Sequence, residues 1–552
     1  MAELEYIEGY PAYMHELLQR VHATRDSRKD QVPEAMTPQE QQDVLKLHPD
    51  YAPGGKRKIS VGPNRGDIAP DAVADLLEAY PLVDHDEIDI FEPDYDVDVL
   101  VIGGGLAGTT AAIWANMEGI PADRILLANK LRHGDANSIM AEGGTQAADR
   151  EADSLERHYL DSIGGGHFTN KPDVLRGLVE DAPFIMRWLH ELGAMIDRDE
   201  NGDFVEKWGG GTSIRRLHSC KDYTGLEELR VIRDEFRGRE IGCVEHYPAI
   251  ELLTDAEGRV SGAVLYNLET GEYRIARAKA TILATGGFGR LHIRGFPTTN
   301  HYGATADGLV LAYRAGARLR DTDTVQYHPT GAAYPIQIVG YLLTEKLRSS
   351  GAQPVNVDGE AFVFPLEPRD VEASAIIREC YVRNRGIDTP SGLRGVWLDT
   401  PMIEVKNGMG YTEKAFPGMI RMFNRYDIDM RKNPVLIFPT LHYQNGGVET
   451  DPQGHSSMEG LWVAGEVSGG VHGKNRLMGN STLDTMVYGR RSGISAADYV
   501  RSGAKAGSLT LDHQKAYVEM LRDAGVEPER RSPMILPEYR GKEALARMID
   551  VF

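Results

Sequence analysis

A chain of 552 residues has room for two or three domains with sizeable cores. Apolar residues make up 41% of it and charged residues 26%, a balance that excludes wholesale disorder. Acidic residues outnumber basic ones 82 to 61, and the net charge of −21 leaves no electrostatic footprint for a nucleic-acid partner. The cysteines are Cys220, Cys243 and Cys380, far apart and without CxxC spacing. No disulfide framework or iron–sulfur cluster is expected from them, and no metal site is assigned to the chain. The start, MAELEYIEGY, lacks the basic and apolar regions of a signal peptide, and no run of about 18 apolar residues occurs. The expectation is a cytoplasmic protein.

Residues 1–95 read as a separate, mostly helical extension. Tyr6, Tyr10, Tyr13, Leu17 and Val21 recur at roughly helical spacing and predict one apolar stripe. Thr37-Pro38-Gln39-Glu40 has the capping-box pattern with proline at the first helical position. A further helix is predicted from near Pro70 over Ala72–Tyr80. Between the two lies a basic island, Lys56-Arg57-Lys58, read as a solvated loop, with a partner-docking surface as the alternative.

After an acidic stretch from Asp84 to Asp98 the pattern changes. The apolar run Val99-Leu100-Val101-Ile102 ends in Gly103-x-Gly105-x-x-Gly108, a helix follows over Thr109–Met117, and Ile125-Leu126-Leu127 reads as a second strand. Strand, glycine turn, helix and strand within about 30 residues is the layout of a dinucleotide-binding unit. Its glycines permit a tight turn and close approach to a pyrophosphate, and the helix N-terminus favours the negative charge. Asn129 ends the second strand where an acid is usual, and is expected to hydrogen-bond a ribose. Further α/β segments are predicted to about 325, an irregular region to about 440, then a strand over Leu461–Ala464 and a helix from about 481. An apolar strand also runs into Ala284-Thr285-Gly286-Gly287, which resembles the ATGG segment of flavoproteins that bind FAD through a Rossmann-like domain, and no second GxGxxG with its own strand–helix context occurs, so a separate nicotinamide domain is not expected.

Several stretches then carry a family resemblance: GRLHIRGFPTTNHYGATADG over 289–308, Gln326-Tyr327-His328-Pro329-Thr330-Gly331, Leu343-Thr344-Glu345, Pro368-Arg369-Asp370, Leu441-His442-Tyr443, and GEVSGGVHGKNRLMGNS over 465–481. With these the chain resembles the flavoprotein subunits of succinate dehydrogenase and fumarate reductase over about 96–498, with soluble fumarate reductases and L-aspartate oxidase as relatives. The resemblance implies an α/β fold: a Rossmann-like FAD-binding domain from 96–325 and 442–498, an inserted α+β capping domain over 326–441, the helical N-terminal extension over 1–95 and a short helical C-terminal region over 499–552. It places FAD against Gly103, Gly105, Gly108, Asn129, Lys130, Asn137, Ser138, Gly143, Gly144, Thr285, Gly286, Asp307, Glu466 and Ser481.

A four-carbon dicarboxylate needs positive and hydrogen-bonding groups at both ends. Arg476 suits one carboxylate through a bidentate fork, with His442 beside it. The family pattern assigns the other carboxylate to His328 and Thr344, and the proton transfer to Arg369. Arginine is an unusual acid, with a pKa above 12 in water, and the family resets it through a relay matched here by Glu345 and Arg348. Their i, i+3 spacing puts both on one helix face. The resemblance thus implies interconversion of fumarate and succinate, with electrons exchanged through an iron–sulfur partner. It also implies peripheral attachment at the inner membrane through a membrane anchor partner. The alternatives are L-aspartate oxidase, reduction of a related 2-enoate, and a noncatalytic flavin electron-transfer role.

The chain also departs from the pattern. Asn137 stands where many membrane-bound relatives carry the histidine that attaches FAD, and His133 is four residues too early, so FAD is expected to be noncovalent. The segment Lys346–Gly351 is less glycine-rich than in relatives, and Gln444-Asn445 replaces a Thr-Met or Asn-Met pair; both are expected to reshape the substrate pocket. The C-terminal region is shorter than in relatives, and the N-terminal extension is expected to take over part of its packing or partner-binding role.

Overall fold

The structure is a computed structural model that describes residues 7–539. Its main sheet has seven strands in the order Gly242–Glu245, Ile125–Asn129, Tyr95–Ile102, Tyr273–Leu283, Val260–Tyr266, Ala249–Thr254, with Leu461–Val463 joining Tyr273–Leu283 on its other side. The central strands run parallel. Val99, Leu100 and Val101 are fully buried, because helices and loops cover both sheet faces; this explains a continuous apolar run rather than an alternating one. On one face the helix Leu106–Met117 lies against Asn480–Arg501. The approach is close enough that a Cβ on Gly489 or Gly493 would meet the carbonyl oxygen of Ala107 or Ala111. Small residues on both helices therefore set the distance at which the glycine turn is held.

The region read from sequence as irregular forms a second, five-stranded antiparallel sheet: Val325–Ala332, Val435–Gln444, Arg394–Asp399 and Gln353–Val355, with Ile387–Asp388 also on Arg394–Asp399. Its strands escape detection because they are buried on both faces and carry prolines. Pro329 falls in the register shift between His328 and Gly331, where the absent N–H removes no ladder bond.

The N-terminal region is not a separate helical unit. The helix Ala12–Arg28 packs on the second sheet through Met14, Leu18 and Val21, preceded by Tyr10, whose hydroxyl donates to the Pro434 carbonyl at 2.6 Å. The buried stripe is therefore shifted from the predicted one: Tyr13 is 53% exposed, Leu17 is half-buried, and Tyr6 lies outside the described residues. Arg25 and Arg28 both grip the buried Asp399, each at 2.7 Å, which fixes the helix's rotation and so its stripe. The capping box at Thr37 and Glu40 forms as predicted.

The predicted helix over Ala72–Tyr80 is shorter, Asp71–Leu77. Tyr80–Pro81 instead pairs in parallel with Arg531–Ser532. The basic island is a short strand rather than a loop. Lys56–Lys58 pairs with Ile68–Pro70, Lys56 reaches Asp50, and Arg57 bonds Asp75 at 2.8 Å and Glu78 at 2.5 Å. Further on, the hydroxyl of Tyr313, on the helix Asp307–Ala315, donates to the Val61 carbonyl at 2.7 Å. The helices Asn480–Arg501 and Asp512–Asp523 end the described chain; 540–552, within the predicted C-terminal region, lie outside it. No helix among the described residues is long and apolar enough to cross a membrane.

Candidate active site

One continuous cleft runs from the glycine turn of the main sheet to the face of the second sheet. Every site residue named from sequence lines it except Gly108 and Arg348, which stand directly behind it. At the first end, Gly105 is the N-cap of Leu106–Met117 and offers no side chain, so the helix's first N–H groups face the cleft, one of them donating to Ser138 Oγ at 3.1 Å. Gly103 has φ +113°, and a Cβ on Gly108 would lie 1.8 Å from the Gly103 oxygen. The turn is thus open to the cleft and closed to any larger residue behind it.

Asn129 does not stand free for a ribose. Its Oδ1 accepts from Gly104 N–H at 3.1 Å and its Nδ2 donates to the Arg132 carbonyl at 2.6 Å, so it holds the turn in shape. Lys130 pairs with Asp307 at 2.6 Å across the cleft. Asn137 accepts from His301 N–H at 2.6 Å and donates to Glu466 Oε2 at 3.1 Å. Burial raises the Glu466 carboxyl above its ordinary range, against hydrogen bonds from Gln444 N–H and Asn137. His133 packs on Phe236 behind the turn and does not line the cleft. A bare helix N-terminus, a turn that only glycine allows, and buried polar groups such as Thr285 Oγ1, which has no hydrogen-bond partner among the described residues, fit an extended dinucleotide such as FAD lying along the cleft.

The far end gathers cations. Neighbouring strands bring His328 and His442 together, with ring centroids 5.0 Å apart. Thr330 N–H donates to His328 Nδ1 at 3.2 Å, which leaves Nε2 as the ring's donor. Burial, and then the nearby Arg369, hold both imidazoles well below their ordinary pKa, so both are neutral donors at neutral pH. Thr344 Oγ1 is buried without a hydrogen-bond partner among the described residues.

Arg369 opens the helix Arg369–Ile377 after Pro368. Its Nε donates to Glu345 Oε2 at 2.8 Å and its Nη1 to Gln326 Oε1 at 3.0 Å. The same Gln326 oxygen accepts from Arg476 Nη2 at 2.9 Å, so one amide ties two like-charged guanidiniums together. Burial, then the Glu345 carboxylate acting against it, leave Arg369 below its ordinary pKa; burial and the neighbouring Arg369 bring Arg476 down to about 9. Burial drives Glu345 upward, but Arg369 and Arg348 outweigh it and keep it ionised.

Glu345 also accepts from Gly210 N–H at 2.6 Å and stands 3.4 Å from Arg348. The spacing predicted Glu345 and Arg348 on one helix face; Glu345 is instead the N-cap of a four-residue helix, Lys346–Ser349, with the same closeness. Arg348 in turn pairs with Glu372, both fully buried. A Glu372→Leu chain is expected to lose about 3–5 kcal/mol of stability in denaturant unfolding, because it takes one of two carboxylates away from a fully buried guanidinium.

Arg476 differs from the other two arginines. It is buried, stacks on Tyr443 at 4.5 Å, donates to Ser481 Oγ at 3.1 Å, and forms no ion pair with any carboxylate of the described residues. A desolvated guanidinium in this state suits an anion.

Sequence reading missed Gln326 and Glu372 as site residues. Gln326 lies within one of the family motifs but has no charge to attract notice; Glu372 follows Arg369 by one helical step, a signal that was available. Gln444 and Asn445 donate to the backbone carbonyls of Gly446 and Lys474. Neither they nor Lys346 line the cleft, so the expectation that they reshape the pocket is not supported.

The loop 166–171 meets the helix of Arg369 through His167, whose Nε2 is 2.7 Å from Asp370 Oδ2. That hydrogen bond, against partial burial, raises the His167 pKa; Lys474 opposes it. A raised folded-state value means the stabilisation is full below about pH 6.5 and fades as pH rises through the raised value. The unfolding free energy is expected to fall over that range, and a His167→Gln chain is expected to lose this dependence.

The fold and cleft define an FAD-dependent oxidoreductase. Residues 98–482 match the FAD_binding_2 model, described as an FAD binding domain, and the chain belongs to that family. It is 37% identical over 447 residues to a chain of the fumarate reductase (CoM/CoB) of Methanothermobacter marburgensis, covering 79% of each. It is 35% identical to an L-aspartate oxidase of Streptomyces coelicolor, covering 80% of this chain and 74% of that one. Among solved structures, the FrdA chain of E. coli quinol fumarate reductase aligns with a TM-score of 0.69 at 29% identity, covering 78% of this chain and 74% of that one. The chain is thus of the fumarate reductase and succinate dehydrogenase flavoprotein type.

Proposed function

We propose that this chain interconverts fumarate and succinate as the catalytic flavoprotein of a larger complex. The observation that carries the reading is the buried Arg476 without a carboxylate partner among the described residues, facing the same cleft as Arg369, His328 and His442. Arg369 and Arg476 face the cleft together with two neutral imidazole donors, an arrangement that suits a substrate with a carboxylate at each end.

In this reading Arg476 and His442 hold one carboxylate, and His328 and Thr344 hold the other. Bound FAD supplies hydride chemistry at its N5. Arg369 gives its proton to the alkene carbon during reduction, helped by burial that already weakens its hold on that proton, and Glu345 and Arg348 return one to it. Gln326 fixes Arg369 and Arg476 relative to each other, so the acid and the carboxylate clamp keep one geometry. The second sheet covers this end of the cleft and excludes water.

FAD is held noncovalently, a reading supported by Asn137 and its hydrogen bonds to His301 and Glu466. Acid precipitation is expected to release all flavin into the supernatant. With no cluster-forming cysteines, the chain passes electrons through an iron–sulfur partner, with a membrane anchor partner beyond it and a cytoplasmic position at the inner membrane. Titration of the oxidised holoenzyme tests the site: fumarate and succinate are expected to perturb the flavin absorbance at concentrations where propionate does not. Equal response to the monocarboxylate would count against the two-ended clamp. The 35% identity to an L-aspartate oxidase favours that activity as a second reading, which aspartate-dependent peroxide formation in air would establish.

A further inference from the structure

Behind the cleft wall, three segments far apart in sequence bring His218, Asp149 and Glu206 together. His218 lies on the short strand Leu217–His218, paired with Thr145–Gln146; Asp149 follows that partner strand, and Glu206 precedes the residue bridged to Leu217. One ligand atom from each residue lies within 4.8 Å of the other two.

The imidazole is the anomaly. His218 is 1% exposed, and neither ring nitrogen has a hydrogen-bond partner among the described residues. Its Nε2 stands 3.3 Å from Asp149 Oδ2, without hydrogen-bond geometry. Glu206 Oε1 is likewise buried without a hydrogen-bond partner among the described residues. Buried polar atoms are almost always satisfied, so these converging donors call for a ligand between them.

The surroundings say what charge that ligand carries. Asp153 is nearby but is already gripped by Arg216 through bonds of 2.6 and 3.0 Å. Among the described residues, Arg150 is the one cation in an ion pair with Glu206, and its Nε stays 3.6 Å away. The exposed Asp149, the half-buried Glu206 and the buried His218 therefore converge on one point, with a single distant counter-charge on Glu206. Phe204 packs edge-on against the imidazole, with centroids 5.7 Å apart.

We propose that His218, Asp149 and Glu206 bind one divalent transition-metal cation, of the Zn2+ or Mn2+ kind. An imidazole with two carboxylates is a mixed nitrogen–oxygen donor set, which suits these ions and disfavours Ca2+ and Mg2+. Ligand bonds of about 2.0–2.2 Å draw the three donors slightly closer than they now stand, and water completes the coordination. Nothing in the sequence hints at this site, since its ligands share no local spacing. The site is structural: it ties the 198–207 segment and strand Leu217–His218 to the stretch that begins at Gly144 in the cleft wall. Gly144 has φ +132°, and a Cβ there would strike the His218 carbonyl, so the cation fixes the backbone that lines the cleft.

The test uses the untagged full-length holoenzyme, stripped with a chelator and desalted. Equilibrium dialysis at neutral pH against Zn2+, Mn2+ or Ca2+, with bound metal measured by mass spectrometry, is expected to give one equivalent of Zn2+ or Mn2+ and much weaker Ca2+ binding. Glu206→Gln and His218→Gln chains that retain full FAD content are each expected to bind at least about tenfold more weakly. The melting temperature of the wild-type holoenzyme is expected to rise with the cation, and that rise is expected to vanish in Glu206→Gln. Should His218→Gln fail to fold, Glu206→Gln and the melting shift still decide. Substoichiometric binding by the wild type, or equal binding by the variants, overturns the proposal.

Discussion

A Gly108→Ala chain is expected to be purified without FAD. The added Cβ would lie 1.8 Å from the Gly103 oxygen and 3.0 Å from its carbonyl carbon, atoms of the backbone that cannot rotate away. Gly103 cannot retreat either. It holds φ +113°, and its own α-carbon faces the Ala284 carbonyl, where a Cβ would lie 2.2 Å from the oxygen. Relief must come from tilting the helix Leu106–Met117 away from the turn, which removes its N–H groups from the place where a pyrophosphate would sit. Overpacking of this kind costs about 1–3 kcal/mol, which a chain of this size is expected to survive, so the loss appears in cofactor content rather than in folding. The measurement is the ratio of flavin absorbance to protein after desalting. Gly164→Ala is the control, since a Cβ there meets nothing within 4 Å. Stoichiometric FAD in Gly108→Ala would contradict the role given to the turn.

An Arg369→Lys chain is expected to keep its FAD and to lose about 10²–10⁴-fold in the rate at which fumarate reoxidises its reduced flavin, the range that general acid catalysis contributes. Lysine retains the charge, but the Arg369 side chain uses two separate nitrogens to reach Glu345 at 2.8 Å and Gln326 at 3.0 Å, and an ammonium on a single stem cannot span both. Fumarate binding, read by titration of the oxidised enzyme, is expected to change far less, because Arg476 keeps its bond to Gln326 and its place beside His442. A rate within a few fold of wild type would remove Arg369 from the proton path. A parallel loss of binding and rate would make it a clamp instead.

What the sequence revealed was what local chemistry dictates. The glycine turn is legible because only glycine tolerates Gly103's backbone angle and Gly108's contact, and both constraints lie within six positions of one another. His328, Thr344, Glu345, Arg369, His442 and Arg476 are legible as motifs, and the cleft gathers them from separate stretches. The functions of polar residues without charge were not legible. Asn129 and Asn137 looked available for the cofactor, yet Asn129 holds backbone with both ends of its amide and Asn137 ties His301 N–H to Glu466, which no spacing records. Gln326 is decisive only because Arg369 and Arg476 converge on it. The N-terminal stripe was misphased because its orientation is set by Asp399, several hundred residues away. The second sheet was read as irregular for a related reason: strands buried on both faces have no alternation to detect.

Reduction of an unsaturated dicarboxylate is the central claim, and anaerobic stopped-flow measures it directly. The bound flavin is reduced chemically, mixed with fumarate, and followed by the return of oxidised-flavin absorbance. Rapid, complete reoxidation with fumarate, together with stable reduced flavin when succinate or crotonate is mixed instead, is the predicted result. A reduced flavin that persists in saturating fumarate, with FAD bound and the chain folded, would contradict it.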